Sequence, residues 1–395
     1  MLQKLKNHTM SIFKRVKNFK NIEGETCFLW GPRQTGKSTL LKNIFSEAAY
    51  YDLLLSENFS KFSRHPEFFR QEVLELPEKQ KALPIIIDEV QKIPLLLNEV
   101  QWLIVNKKLH FILCGSSARK LKKGAANLLG GRAIRQELYP LVSREINDFD
   151  LMKVLNRGLL PEHYLAKNPN LKLKSYVGDY LREEVMAEAL TRNVSAFSRF
   201  LEIAAFSNGE IVNYQNIATE CGVSAPTVRE YFQILSDTLV GHFVESFRQK
   251  PKRRIIQSPK FYYFDLGLAN VLLNRKEITF PSEIFGRVFE HFIFQELRAH
   301  SHYSGLDYRI SYWRTSSGLE VDFVLASGDI AVEVKGTKEV LPKHLKGLRA
   351  FAEDYRPRKK IIVSLDASPR LVDDIQILPW SNFLEQLWSG IILNT

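Results

Sequence analysis

Gly31-Pro32-Arg33-Gln34-Thr35-Gly36-Lys37-Ser38 is the segment that most restricts how this chain can fold. It fits the pattern G-x-x-x-x-G-K-[ST], follows the apolar run CFLW and opens the helical stretch STLLKNIF. Strand, tight turn and helix therefore come in the order that a phosphate-binding loop requires. Backbone N–H groups in such a turn point at phosphate oxygens, and the helix N-terminus adds a positive partial charge. Lys37 would reach the terminal phosphates, the Ser38 hydroxyl would ligate Mg²⁺, and Thr39 would complete the lining behind it. A strand that feeds a crossover helix in this way belongs to a parallel sheet.

The following sequence keeps that rhythm. From Thr26 to Leu138 the runs CFLW, LPIIID, HFILCG and AIRQEL alternate with helical stretches, which predicts an α/β domain. LPIIID ends in Asp88, placed to orient the Mg²⁺ shell, and Glu89 would polarise the water that attacks the γ-phosphate of ATP. After HFILCG, Ser116 and Ser117 stand where a polar side chain senses the γ-phosphate or caps a helix. Arg132, behind two glycines, would supply stabilising charge from the same or a neighbouring subunit, or lie on the surface. A neighbour's arginine implies a homo-oligomer.

The chain is 395 residues long with 45% hydrophobic residues, enough for roughly two to three domains with real cores, so disorder and a lone small module are excluded. The pattern divides it into a basic arm (1–20), the P-loop domain (21–150), a helical segment (151–280) and a last α/β domain (281–395). Cys27, Cys114 and Cys221 have neither metal-ligand spacing nor an even count, which points to a reducing cytoplasm. No charge-free run exceeds ten residues, against about 20 apolar residues for a membrane helix. No membrane partner is expected.

In the helical segment, YQNIATECGVSAPTVREYFQIL fits a helix-turn-helix, with Ile217 and Ala218 packing the first helix and Gly222 making the turn. Val223, Val228 and Phe232 or Ile234 would anchor the second, which would face the major groove through Ser224, Thr227, Arg229 and Gln233. LVGHFVESF and YYFDL would add the strands of a wing. Only one cation lies on the recognition face, and such modules also serve as packing lids. In the last domain, Glu290 sits in a long amphipathic helix, Asp322 ends EVD, and Glu333 and Lys335 form E-x-K on one side of the strand IAVEVKG. Asp322 and Glu333 would bind Mg²⁺, Glu290 would complete or orient its shell, and Lys335 would activate water or steady phosphate charge. Glu320 shares the strand face of Asp322 as an alternative ligand.

Gly31–Ser38, IIIDEVQKIP, the GSS after the next strand, and Gly131-Arg132 followed by ELYPLVSREI resemble the AAA-type ATPases of bacteria and archaea that carry a C-terminal domain of long-unassigned function. The likeness continues through SYVGDYLREEV and YYFDLGLANVL. It implies ATP binding and hydrolysis and leaves the pathway open. Glu290, Asp322, Glu333 and Lys335 resemble the four positions of the restriction-endonuclease-like PD-(D/E)XK core, which implies Mg²⁺-dependent phosphodiester cleavage.

The chain carries 55 Lys+Arg against 44 Asp+Glu, a net charge of +11. Six cations lie in the acid-free first 20 residues, and five lie at Arg248, Lys250, Lys252, Arg253 and Arg254, so these two segments together equal the excess. The expectation is that both hold the DNA backbone, the first as an exposed arm unless it is only a solvated lead-in helix. The whole reads as an ATP-dependent DNA-processing enzyme, with a nucleotide-switched binding protein carrying an inactive nuclease fold as the alternative.

Overall fold

The aliphatic runs between Thr26 and Leu138 pair with one another. In the computed structural model, which describes residues 13–116, 129–178, 194–249 and 253–393, they form β1 (Cys27–Trp30), β3 (Ile85–Asp88), β4 (Phe111–Gly115) and β5 (Ile134–Glu137). The short β2 (Tyr50–Asp52) joins at the edge. The order is β2-β3-β4-β1-β5 and every pairing is parallel. Side chains alternate between two cores: Phe28, Trp30, Ile85, Ile87, Phe111 and Leu113 fill one, while Leu29, Ile86, Ile112 and Cys114 fill the other. Burial on both faces explains the continuous apolar runs. Parallel pairing also brings the ends of β1, β3 and β4 to one edge, where the loops carry the chemistry.

The middle segment contains the two expected helices, Tyr214–Cys221 and Ala225–Asp237. Gly222 turns between them at φ 68, a left-handed conformation that glycine adopts without strain, and the Ser224 hydroxyl caps the second helix. Ile217, Ala218, Val228, Phe232 and Ile234 are buried together. β6 (Gly241–Ser246) and β7 (Lys260–Tyr263) then pair antiparallel.

This hairpin differs from the expected wing. β6 also pairs in parallel with β8 (Ile310–Arg314), through Glu245 with Ser311 and Ser246 with Tyr312. Residues 241–244 of β6 pair with β7 and residues 245–246 with β8, so the end of β6 is built into another sheet. β6 and β7 instead complete a sheet with β8, β9 (Glu320–Leu325), β10 (Ile330–Val334), β11 (Lys359–Ser364), β12 (Arg370–Val372) and β13 (Ile375–Pro379), in the order β12-β13-β11-β10-β9-β8-β6-β7. The last α/β domain therefore takes two strands from before residue 281.

The long helix Glu283–Tyr303 lies on one face of this sheet, its Phe289, Phe292 and Ile293 packed with Phe323, Val332, Val334 and Val363. The other face is covered by the helix Lys346–Tyr355, whose Leu348 and Phe351 meet Trp313, Val324 and Ala331. Polar side chains of the long helix also grip β7. Fully buried His291 donates through Nε2 to the Tyr263 carbonyl at 2.7 Å, and Asn208 Nδ2 donates to its Nδ1 at 3.1 Å. Gln295 Nε2 donates to the Phe264 carbonyl at 2.7 Å.

Burial pushes the His291 imidazole from an ordinary 6.5 down to about 3. Below pH 6.5 the unfolded imidazole takes up a proton that the folded one refuses, so stability falls with falling pH, by about 1.4 kcal/mol per unit for one such group. Denaturant titrations at pH 7 and pH 5 should show a smaller loss for His291→Gln than for the parent. Equal losses would contradict this assignment.

Candidate functional site

The phosphate-binding turn has the backbone that its sequence demands. Gly36 takes φ 92 and Gln34 φ 63, both left-handed. Gly31 is required by proximity, because a Cβ there would lie 2.5 Å from the Leu138 carbonyl oxygen. Buried Thr35 donates to the Pro32 carbonyl at 2.9 Å, and Lys37 Nζ donates to the carbonyls of Gly31 at 2.6 Å and Pro32 at 3.0 Å. Ser38 Oγ donates to Asp88 Oδ2 at 2.6 Å, and the Tyr50 hydroxyl donates to the same oxygen. A hydroxyl and a carboxylate side by side are hard oxygen donors that suit Mg²⁺. A cavity of about 1120 Å³ opens beside them, lined by Arg33, Lys37, Ser38, Thr39 and Glu89 and walled by residues 13–18 and the helix Pro161–Leu165.

Glu89 follows Asp88 at φ 60, a conformation uncommon for a non-glycine residue and found where function fixes the backbone. Gln91, which no spacing rule singles out, links the two neighbouring strand ends. Its Nε2 donates to Glu89 Oε2 and, at 3.2 Å, to Ser116 Oγ. Gly115 makes room for it, since a Cβ there would stand 2.3 Å from Gln91 Oε1 and 2.7 Å from the Trp30 ring. Ser117 lies outside the described residues.

Two cationic expectations change here. Arg15 is not free for DNA: its Nε pairs with buried Glu145 at 2.9 Å, and its other nitrogens donate to the carbonyls of Thr35 and Tyr139, each at 2.7 Å. Lys17 is buried and donates to Gln136. The described part of the arm is thus a strap across the nucleotide cavity. Exposed Arg132 precedes β5 at the end opposite the phosphate loop, because β5 runs parallel to β1 with Ile134 beside Cys27 and Glu137 beside Trp30. The four paired residues span about 10 Å, and Arg132 lies two residues beyond their far end, away from the nucleotide cavity of its own subunit.

The acids of the last domain come together around lysines. Asp322 and Glu333 are buried on the paired strands β9 and β10, where Asp322 Oδ2 accepts from Val334 N at 2.7 Å and Glu333 Oε2 from Asp322 N at 3.3 Å. Lys335 Nζ lies 2.5 Å from Glu333 Oε1. Burial, and then the negative neighbours, push both carboxyls well above their ordinary range. Burial opposes the charge of Lys335, but Asp322 and Glu333 outweigh it and push its ammonium up.

Glu290 and Glu320 share a cation that the sequence did not reveal. Lys260 of β7 is buried, 3.2 Å from Glu290 and 2.8 Å from Glu320. Arg314 approaches Glu320 at 3.4 Å, and the Tyr262 hydroxyl donates to Glu290 at 2.6 Å. The only hint in the sequence is a lysine at the head of the apolar run FYYF. Among the described residues, no group of three or more His, Cys, Asp or Glu is arranged to hold a metal ion. Asp322 and Glu333 still fit one as a pair, because a divalent cation would supply the positive charge that their burial and mutual repulsion call for.

The second basic cluster is partly committed to packing. Arg253 donates to the Ala350 carbonyl at 2.8 Å and pairs with Glu353 and with Asp354, the latter at 2.5 Å. It fastens the linker to the helix Lys346–Tyr355. Arg248 is exposed 4.0 Å from Glu245, Arg254 is exposed, and Lys250 and Lys252 fall outside the described residues. On the second of the two middle helices, Arg229 stacks over the Tyr214 ring at 4.1 Å and Gln233 donates to Asp237. Among the described residues, no helix is long and apolar enough to cross a membrane.

Gln91 gives the nucleotide site a testable part. Gln91→Ala should lower the ATP turnover number about 10- to 100-fold with little change in nucleotide affinity, as expected for a group that orients the water-positioning Glu89. Steady-state kinetics and fluorescent-nucleotide titration separate these quantities, and a loss confined to affinity would contradict the role.

A family model described as an AAA domain matches residues 23–147. Two models described as domains of unknown function, DUF8612 and DUF4143, match 148–279 and 285–383. The chain is 26% identical over 350 residues to the uncharacterized protein Rv2008c of Mycobacterium tuberculosis, covering 85% of this chain and 75% of that protein. It is 25% identical over 323 residues to the uncharacterized protein MJ1544 of Methanocaldococcus jannaschii, covering 73% of this chain and 69% of that protein. Among solved structures, the Walker-type ATPase paby2304 of Pyrococcus abyssi aligns with a TM-score of 0.40 and 15% identity, covering 64% of this chain and 91% of that one. With its phosphate loop, Asp88 and Glu89 at the ends of a parallel sheet, the amino-terminal third of the chain is similar to the AAA domain of P-loop ATPases.

Proposed function

We propose that the protein hydrolyses ATP and uses its nucleotide state to control how the carboxy-terminal domain engages DNA, which that domain cleaves with Mg²⁺. The observation that carries the first half is the convergence of Lys37, Ser38, Asp88, Glu89 and Ser116 at one edge of the parallel sheet, with Gln91 joining Glu89 to Ser116. Mg²⁺ held by Ser38 and Asp88 supplies positive charge to the phosphates. Lys37 binds the terminal phosphates, Glu89 orients the attacking water, and Ser116 reports on the γ-phosphate through Gln91. Arg132 completes the site from a neighbouring subunit, in a cytoplasmic homo-oligomer.

The second half rests on the order of elements around the acid cluster: a long helix, the strands β8, β9 and β10, a helix and β11, with Asp322, Glu333 and Lys335 on adjacent strand ends. That order supports a restriction-endonuclease-like reading of residues 281–395 joined by β6 and β7. Mg²⁺ held by Asp322 and Glu333 supplies Lewis acidity to a phosphodiester. Lys335 steadies phosphate charge, and Glu290 orients the cluster. The two middle helices with β6 and β7 are read as a winged-helix module whose hairpin is shared with the sheet of the last domain, with exposed Arg248 and Arg254 as phosphate contacts.

The buried Lys260 favours a second reading, because it already neutralises Glu290 and Glu320 as a fixed cation. In that reading the protein is a nucleotide-switched DNA- or protein-binding protein with an inactive nuclease fold. Purified protein should turn over ATP, with a loss of at least about 100-fold in Lys37→Ala. It should nick DNA only with Mg²⁺, and Glu333→Gln and Lys335→Gln should abolish nicking. ATP turnover without nicking of single-stranded, double-stranded or branched DNA selects the second reading, and nicking by both variants shows that the cleft is misassigned.

A further inference from the structure

We propose that the cleft between the helix Leu151–Arg157, the helix Pro169–Ser175 and residues 270–280 binds a ligand carrying several phosphate groups. The cleft has a volume of about 900 Å³ and is lined by Lys153, Arg157, Lys174, Arg275 and Lys276, against only two carboxylates, Asp150 and Glu277. Asp150 is committed to its helix, where its carboxylate accepts from Lys153 N at 3.1 Å. Among the described residues, no carboxylate lies within ion-pair distance of any of the five cations.

The two arginines are held by neutral groups, which orient a guanidinium without cancelling its charge. Half-buried Arg157 donates to the carbonyls of Ala166 at 3.1 Å and Tyr164 at 3.5 Å. Half-buried Arg275 donates to Asn270 Oδ1 at 3.1 Å, and Asn270 is itself anchored by its Nδ2 on the Leu155 carbonyl at 2.8 Å. Asn156 clamps the opposite wall: it donates to the Ile278 carbonyl at 3.1 Å and accepts from Ile278 N at 2.7 Å. The walls are therefore fixed before any ligand arrives.

A partly desolvated guanidinium without a counter-charge is unfavourable, and burial together with nearby Arg287 acts against the charge of Arg275. Arg15 and Arg253 elsewhere in this chain are neutralised by carboxylates; among the described residues Arg157 and Arg275 have no such partner. An anion is the missing partner. Phosphate suits it because the guanidinium fork presents two parallel donors to paired oxygens, and Lys174 and Lys276 add point charges at the rim. The volume falls within the roughly 300–1,000 Å³ of small-ligand sites. The phosphates could belong to a free polyphosphate compound or to a nucleic-acid backbone, and neither option depends on cleavage in the last domain.

The test uses the full chain carrying Lys37→Ala, which weakens phosphate binding at the P-loop, titrated calorimetrically with tripolyphosphate and separately with a single-stranded oligonucleotide. At least one probe should bind, lose affinity with added salt, and weaken at least about 10-fold in Arg157→Gln/Arg275→Gln. If that variant fails to fold, the exposed pair Lys174→Gln/Lys276→Gln serves, with Lys172→Gln as an unaffected control. Binding of tripolyphosphate alone identifies a free ligand, and binding of the oligonucleotide identifies a nucleic-acid backbone. Failure of both probes to bind, or affinities unchanged in the cleft variants, overturns the proposal.

Discussion

The helix Glu283–Tyr303 is the constraint on which the rest of the arrangement depends. Its 21 residues span roughly 30 Å, from the acid cluster to the residues that follow β5. Towards its start Glu290 reaches the acid cluster through Lys260 and Tyr262. Towards its end Glu296 accepts from Ser143 N at 2.6 Å, Ser143 Oγ at 3.0 Å and Trp388 Nε1 at 2.8 Å. Arg298 lies 3.6 Å from Glu137 at the end of β5, and the Tyr303 hydroxyl accepts from Tyr139 N at 2.9 Å. The strap residue Arg15 touches that same region, tying Thr35 of the phosphate loop to Tyr139 and Glu145. A rigid rod and one arginine thus join the nucleotide loop to the acid cluster by direct contact. In the proposed function, this is the physical route by which nucleotide state reaches the last domain.

Much of this was legible in the sequence wherever a local rule applies. The strands β1, β3 and β4 declared themselves as aliphatic runs because both sheet faces are covered, whereas the edge strand β5 is largely exposed. The phosphate loop, Asp88 and the E-x-K pair follow from short spacings. β2 and β12 were not legible, because they are three-residue edge strands, half-buried in β2 and exposed at positions such as Leu371 in β12. Gln91 and Lys260 were missed for a different reason. Each acquires its role from partners far away in the chain: Ser116 for Gln91, and Glu290 and Glu320 for Lys260.

The excess of positive charge shows the same limit. Counting by segment placed all of it in the arm and the linker, yet Arg15, Lys17 and Arg253 are held by Glu145, Gln136, Glu353 and Asp354. A segment without acids is not a free cationic surface when its acids come from elsewhere in the fold. Lys153, Arg157, Lys174, Arg275 and Lys276 sit in stretches that look unremarkable in charge, yet they meet in one cleft with little to balance them. Net charge is a property of the chain, whereas unpaired charge is a property of the fold.

The pairing of β6 with β8 bears on how this architecture can be divided or transplanted. A cut before the long helix looks natural in sequence, but it would strip β8 of its neighbour and expose a row of unpaired N–H and C=O groups beside the buried ring of Tyr312. An isolated carboxy-terminal fragment would carry an adhesive edge and lack Lys260, leaving Glu290 and Glu320 without their buried lysine. The last two segments are therefore one heritable module: recombination that keeps the sheet whole must carry the β6–β7 hairpin along with it.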